Sequence, residues 1–242
     1  MYNKILLFLV ILVIYIIFIL KKNYELFVYE NEKKFENYRL GDIVNGWLYK
    51  HKREIYEKYE NDYPNTIAAK YISMTKNLNS EEKFQNFDLL YKIIELKKNN
   101  KKDINLHIRL GDIVRGKYNN MFIFKKNMGM QINKYNDLCK EIKLKTKERK
   151  IYLFYGCHRK CSDYSIEYLE NIKNIFKKNN FTIINKSSKN PDNDFKRMCN
   201  SKLFIEGYGG FSNVISQMVK KNGGQVIHAK KYYDDKHFYQ WP

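Results

Sequence analysis

The sequence predicts a doubly wound parallel α/β sheet, preceded by a small, mainly helical lobe and an N-terminal transmembrane helix. Three observations carry this. From residue 104 onward, short apolar runs alternate with stretches of helical periodicity. Residues 24–98 show helical spacing. Ile5 to Leu20 is an unbroken run of 16 uncharged, mostly branched or aromatic residues between Lys4 and Lys21-Lys22. The expected divisions are an anchor at 1–22, a lobe at 23–102 and a domain at 103–242, with the charged stretch Lys97 to Asp103 at the boundary. In 242 residues, 44% hydrophobic and 16% aromatic, there is material for a real core, which excludes general disorder.

As a helix the first run spans ~24 Å, short for a hydrocarbon core but within reach when lysines at both ends snorkel to the interfaces. No small-x-small cleavage site follows it, so an anchor is expected rather than a cleaved signal. Orientation stays open. The lysines after the run favour a cytoplasmic C-terminal domain, and the sequons Asn180-Phe181-Thr182 and Asn185-Lys186-Ser187 favour a lumenal one.

In the lobe, Trp47 to Tyr59 is a polar, aromatic-rich run, and Asn65-Thr66 caps a helix through about Met74. Ser80 starts another, with Phe84, Phe87, Leu90 and Ile94 at helical spacing. In the C-terminal part the expected strands are 104–108, 151–155, 181–184, 203–206 and 225–228. Helices are expected at 132–145, 165–178, 194–200 and 211–221. This alternation is Rossmann-like, and such sheets bind ligands beyond the carboxyl ends of their strands.

The net charge is +19, from 38 Lys and only 7 Arg against 26 acids. A nucleic-acid surface would use more arginine for bidentate phosphate contacts, and no nucleic-acid-binding signature stands out. The surplus therefore reads as a solvated lysine surface, and nucleic acid is not favoured as a partner. Cys157-His158-Arg159-Lys160-Cys161 has the wrong spacing for a metal knuckle, so its cysteines read as small buried thiols beside a strand end, and no metal is expected.

Two constellations follow strands. His107-Ile108-Arg109-Leu110-Gly111-Asp112 ends the first; alternation puts His107 and Arg109 on one side, Gly111 lets the chain turn, and Asp112 can hold the arginine or accept a proton. An arginine in so lysine-rich a chain suits planar, bidentate recognition of a diphosphate, although an Arg109–Asp112 pair closing a turn explains it equally well. Glu206-Gly207-Tyr208-Gly209-Gly210-Phe211-Ser212-Asn213 joins a strand to a helix; glycines admit an anion to backbone amides and to the positive end of the helix.

These residues resemble a known family. His107 to Asp112 is similar to the H-x-R-[R/hydrophobic]-G-D motif of GT-B-type fucosyltransferases, which include the α1,2-, α1,6- and protein-O-fucosyltransferases. Asp194-Phe195-Lys196-Arg197-Met198-Cys199 through Ile205, followed by Gly210-Phe211-Ser212, is similar to their D-x-x-x-M-x-x-[AC]-x-x-F-I block. The likeness covers roughly residues 104–228. Leu110 stands where many members have a second arginine, and Gly209 where they often have Ser or Thr. The resemblance implies a GT-B donor domain and a nucleotide-sugar donor, GDP-fucose favoured. It also implies transfer with inversion, without metal or resident cofactor, to a glycan or protein acceptor, in an endomembrane, Golgi-like compartment. Arg109 would grip the departing diphosphate, with Asp112 beside it as the second catalytic candidate. Gly209, Gly210, Phe211 and Ser212 would hold phosphate oxygens, and Gly111 would shape the turn. His107 would lie near the nucleotide, and Asp194 would orient its loop or contact the base. The general base stays open among Asp112, Asp42 and Glu206. A non-catalytic nucleotide- or glycan-binding protein of the same fold is the alternative.

One feature is independent of the family. Arg39-Leu40-Gly41-Asp42-Ile43-Val44-Asn45-Gly46 matches Arg109 to Gly116 at seven of eight positions, 70 residues apart. A turn shared by the two lobes is the expected reason; the sharper reading has Asp42 facing the cleft on the acceptor side.

Overall fold

Ile104–Leu110 forms the central strand, β1, and its alternating sequence gives it two unlike faces. Ile104, Leu106, Ile108 and Leu110 enter the main apolar core. Asn105, His107 and Arg109 occupy the other face as a polar stripe, of which Asn105 and His107 are buried. The computed structural model describes residues 40–96, 103–111, 113–125, 128–157, 161–188 and 190–233. The expected anchor at 1–22 and Asp112 lie outside the described residues, among which no helix is long and apolar enough to cross a membrane. The described residues fall within one compact unit.

The remaining strands are β2 (Val114–Tyr118), β3 (Met121–Phe124), β4 (Lys150–Cys157), β5 (Thr182–Asn185), β6 (Leu203–Glu206) and β7 (Gln225–His228). Four of these join β1 in a parallel sheet with the order β5-β4-β1-β6-β7. The chain thus winds outward from β1 in one direction, returns, and continues in the other. This is the Rossmann-like doubly wound arrangement, and its strand order reverses between β1 and β6. In register, Arg109 lies opposite Gly156 and Leu106 opposite Ile205.

The helices of this part are α7 (Tyr135–Lys145), α8 (Asp163–Lys178), α9 (Pro191–Cys199) and α10 (Gly210–Lys221). Helices α7 and α8 pack together, as do α9 and α10. Tyr135, Leu138 and Ile142 of α7 and Tyr168, Leu169 and Ile172 of α8 join the apolar face of β1. On the opposite face, Asn105 donates to the carbonyl of Arg197 and to Ser201 Oγ, at 3.2 and 2.7 Å, so burial leaves its amide satisfied. Caps set two helix starts earlier than the apolar spacing does. Ser162 accepts from the Ser165 amide before α8, and Asn190 accepts from Asp192 and Asn193 before α9, with Pro191 in the first turn.

Residues 40–94 are helical: α1 (Leu40–Val44), α2 (Trp47–His51), α3 (Arg53–Asp62), α4 (Ile67–Thr75), α5 (Ser80–Lys83) and α6 (Phe87–Ile94). The single helix expected from Ser80 is two. Gln85 takes a positive φ of 57° and Asn86 caps the second piece. The hydroxyl of buried Tyr71 accepts from the Asn86 amide and donates to the Lys83 carbonyl, at 3.0 and 2.7 Å, so the broken backbone is satisfied. These helices are tied to the α/β part: the Ile67 amide donates to Asp192 at 2.8 Å, Tyr91 donates to Asn222 at 3.1 Å, and Lys221 pairs with Asp88.

Two other expectations are corrected, and one element is added. The near-identical octapeptides do not share a turn: the first copy forms α1, and the second ends β1, turns at Gly111 and starts β2. Cys157 and Cys161 are not buried thiols; they are partly exposed and joined as a disulfide, whereas Cys139 and Cys199 are free and buried. The segment between β1 and α7 carries an antiparallel hairpin, β2–β3, turned on Asn119 and Asn120 with φ of 46° and 62°.

Candidate functional site

The two strand-end constellations meet at the point where the strand order reverses. Arg109 is the penultimate residue of β1, and Gly111 follows with φ 74°. Across from it, β6 ends at Glu206, and Gly207 to Gly209 lead into α10. Close backbone approach explains the glycines. A methyl group on Gly207 would stand 2.4 Å from the His107 carbonyl oxygen, and one on Gly209 2.8 Å from Arg109 Nη1. Gly209 also holds φ at 105°, which L side chains rarely adopt. The loop therefore lies on β1, with the guanidinium against the N-cap residue of a twelve-residue helix. The first amides of that helix and its positive end face the same place.

Beneath the loop, the His107 ring meets the Phe211 ring edge-on at 5.7 Å, and Phe211 in turn contacts Phe195 of α9 at 5.6 Å. Burial, reinforced by the Arg109 charge, pushes the His107 pKa down to about 4, so the imidazole is neutral at pH 7. His107 Nδ1 and Ser212 Oγ are both buried with no hydrogen-bond partner among the described residues. Each such orphan costs ~1–3 kcal/mol; Tyr56 Oη and, one turn further along α10, Ser216 Oγ are buried and unpartnered in the same way.

The His107 environment makes a pH prediction. Its folded pKa lies below the ordinary 6.5, so between pH 6.5 and 4 the unfolded chain binds the proton more readily. This contribution is fully present above pH 6.5 and is lost as pH falls towards 4, amounting to about 3 kcal/mol. Urea unfolding at a series of pH values should show the loss, and His107→Gln should flatten it.

Asp194 is buried on α9 and accepts twice from the Ser188 amide, at 2.8 and 3.1 Å; burial raises its pKa, against the lowering effect of those bonds. It thus anchors the loop after β5, one helix away from the glycine loop. Glu206 pairs with His228 of β7. The concavity at the strand ends, lined by His107, Arg109, Gly207, Tyr208 and Tyr233 among others, holds about 20 Å³, room for one water. A larger one of about 530 Å³ lies at the other end of α10, beside Lys220 and Lys221.

The structure thus brings together His107, Arg109, Gly209, Gly210, Phe211 and Ser212. It adds a participant that the family pattern does not contain. Helix α1 lies on the start of α10: a methyl on Gly41 would stand 2.2 Å from the Phe211 nitrogen. One on Gly210 would stand 3.3 Å from both Asp42 Oδ1 and Asn45 Nδ2. The signal for α1 was the octapeptide repeat; what hid it was that the same letters form a helix in one place and a strand end in the other. Among the described residues, no cluster of three or more His, Cys, Asp or Glu could hold a metal ion. Comparison with family models, curated proteins and solved structures finds no match. Fold and site geometry define a class, an α/β protein with an arginine and a glycine-lined helix start at its switch point.

Proposed function

We propose that the protein is a GT-B-like, metal-independent inverting glycosyltransferase, fucosyltransferase-like, held to an endomembrane by its N-terminal segment. It moves a sugar from a nucleoside-diphosphate donor, GDP-fucose favoured, to a glycan or protein acceptor. The observation that carries this reading is the placement of the Arg109 guanidinium against Gly209 where α10 begins. A diphosphate seated there receives the planar fork of an arginine on one side and helix amides on the other. Both gain strength as negative charge builds on the leaving oxygen, which is how fixed charge lowers the barrier to group transfer. Because the concavity holds only about 20 Å³, a donor bound here would lie at the rim of the strand ends rather than inside it.

The second reading, a nucleotide- or glycan-binding protein without transfer, is favoured by the packing of α1 over the glycine loop, which leaves little room for an acceptor. Thermal shift of the full chain in detergent, with nucleotides and nucleotide sugars, tests the donor site. Selective stabilisation by GDP and GDP-sugars is expected, because a ligand at 100 times its Kd adds about 2.7 kcal/mol to the native state. No response to any guanine nucleotide would refute the donor assignment. A response without release or transfer of sugar would select the second reading.

A further inference from the structure

The two sequons fold into unlike surroundings. Asn180 is exposed in the turn between α8 and β5, at φ 63°, a left-handed conformation that asparagine tolerates. Buried Phe181 pins that turn, and exposed Thr182 opens β5, so the first and third residues of Asn180-Phe181-Thr182 both meet water. The Asn180 side-chain amide makes no hydrogen bond among the described residues. Asn185 instead ends β5 with its side chain in use: Nδ2 donates to the Tyr155 hydroxyl and Oδ1 accepts from the Ser187 amide, both at 3.2 Å. Ser187 Oγ is engaged as well, accepting from the Tyr155 amide at 2.7 Å and donating to the Tyr155 carbonyl at 3.1 Å. We infer that Asn180 is a modification site bearing an N-linked oligosaccharide, that Asn185 is not, and that the domain lies in a non-cytoplasmic compartment. Neither Arg109 nor the glycine loop enters into it.

An independent feature points to the same compartment. Cys157, the last residue of β4, is joined to Cys161, and both are partly exposed. A disulfide open to solvent persists in oxidising surroundings and is reduced in the cytosol. Secreted surface loops are also where Asn-x-Ser/Thr receives sugar. The lysines after the first apolar run carry little weight against this, because the chain holds 38 lysines in all. In the transfer, Asn180 Nδ2 bonds to the anomeric carbon of an oligosaccharide carried on a lipid diphosphate. The anomeric C–O bond breaks, the lipid diphosphate leaves with its electron pair, and the amide gives up one proton. The place suits a bulky, hydrated group. Asn180 precedes the amino end of β5, at the opposite end of the parallel sheet from the strand-end site, and β5 is an edge strand. A glycan there hinders that edge from pairing with another chain. On Asn185 the same group would crowd the Tyr155 hydroxyl.

Gel mobility of the full chain expressed in eukaryotic cells, before and after peptide-N-glycosidase, tests this in wild type, Asn180→Gln, Thr182→Val and Asn185→Gln. Wild type and Asn185→Gln should each lose a single glycan step on treatment. Asn180→Gln and Thr182→Val should run at the deglycosylated position from the start. Thr182→Val keeps a β-branched residue in the strand and the asparagine in its turn, so it reports on the sequon even if glutamine at φ 63° weakens the fold. Alkylation in denaturant should label two cysteines without reductant and four with it, since Cys139 and Cys199 are the free pair. Wild type insensitive to the glycosidase would overturn the inference, as would a step that survives Thr182→Val and vanishes in Asn185→Gln. Four cysteines alkylated without reductant would overturn it too. No readout here depends on a nucleotide, so failure leaves the donor reading untouched.

Discussion

Gly41→Ala is expected to destabilise the protein by at least ~2 kcal/mol, the upper part of the range for overpacking a filled interior. The added methyl would stand 2.2 Å from the Phe211 nitrogen, 2.4 Å from the Gly210 carbonyl carbon and 2.6 Å from the Phe211 Cα. All three are backbone atoms, and none can rotate aside. Relief requires α1 to lift from α10, which would bring Leu40, Ile43 and Val44 towards water, all of them at most 1% exposed. The natural control is Gly156→Ala, where an added methyl meets nothing within 4 Å; it should change stability by less than ~0.5 kcal/mol. Urea midpoints of the two variants check the contrast. Equal stability would mean that α1 does not rest on the glycine loop.

Arg109→Lys is expected to remove at least ~2 kcal/mol of transition-state stabilisation, roughly a thirtyfold loss in kcat/KM, while stability stays near wild type. Lysine keeps the charge but offers a compact, strongly hydrated ammonium in place of two parallel N–H groups. It also reaches the helix start with a flexible stem, so more entropy is lost for each bond made. Sugar release or transfer from a nucleotide-sugar donor checks the loss. Near-normal turnover would withdraw the diphosphate role from Arg109, and Gly209 would then be a glycine only to clear a structural arginine.

Much of the fold is legible because strand and helix periods differ. Ile104 to Leu110 alternates strictly in residue type, and its apolar set enters the main core while Asn105, His107 and Arg109 share the other face, which is almost as deeply buried. Helices with one apolar stripe, such as α8, are legible for the same reason, although the Ser162 cap that sets its start was not. The hairpin was not, because Asn119-Asn120 is a weaker turn signal than Asn-Gly, and a β2 strand reading Val-Arg-Gly-Lys-Tyr has no clean alternation. The break between α5 and α6 was hidden because Phe84 and Phe87 keep helical spacing across it; the deciding partner is Tyr71, far from the local pattern. The octapeptides make the general reason concrete. Leu40, Ile43 and Val44 are buried in α1, and Leu110, Ile113 and Val114 are buried at the end of β1 and the start of β2. Both conformers bury the same side chains, so local sequence leaves the choice to the neighbours: α10 for one copy, β4 and β3 for the other. Of the site, Arg109 and the glycine loop were legible as chemistry, since each breaks the composition around it. Asp42 was legible as a repeat of Asp112 and as an acidic candidate for the cleft, but not as a neighbour of the α10 start.

The bond from the Ile67 amide to Asp192 joins residues 125 apart and makes the first turn of α4 depend on α9. Helix α4 therefore borrows its starting acceptor from the helix that follows β5, just as α1 borrows its apolar partner from the helix that follows β6. Neither half owns a finished surface. A chain cut near residue 100 would yield two sticky fragments rather than two small proteins, and loosening the glycine loop would be felt in the helices as promptly as in the sheet.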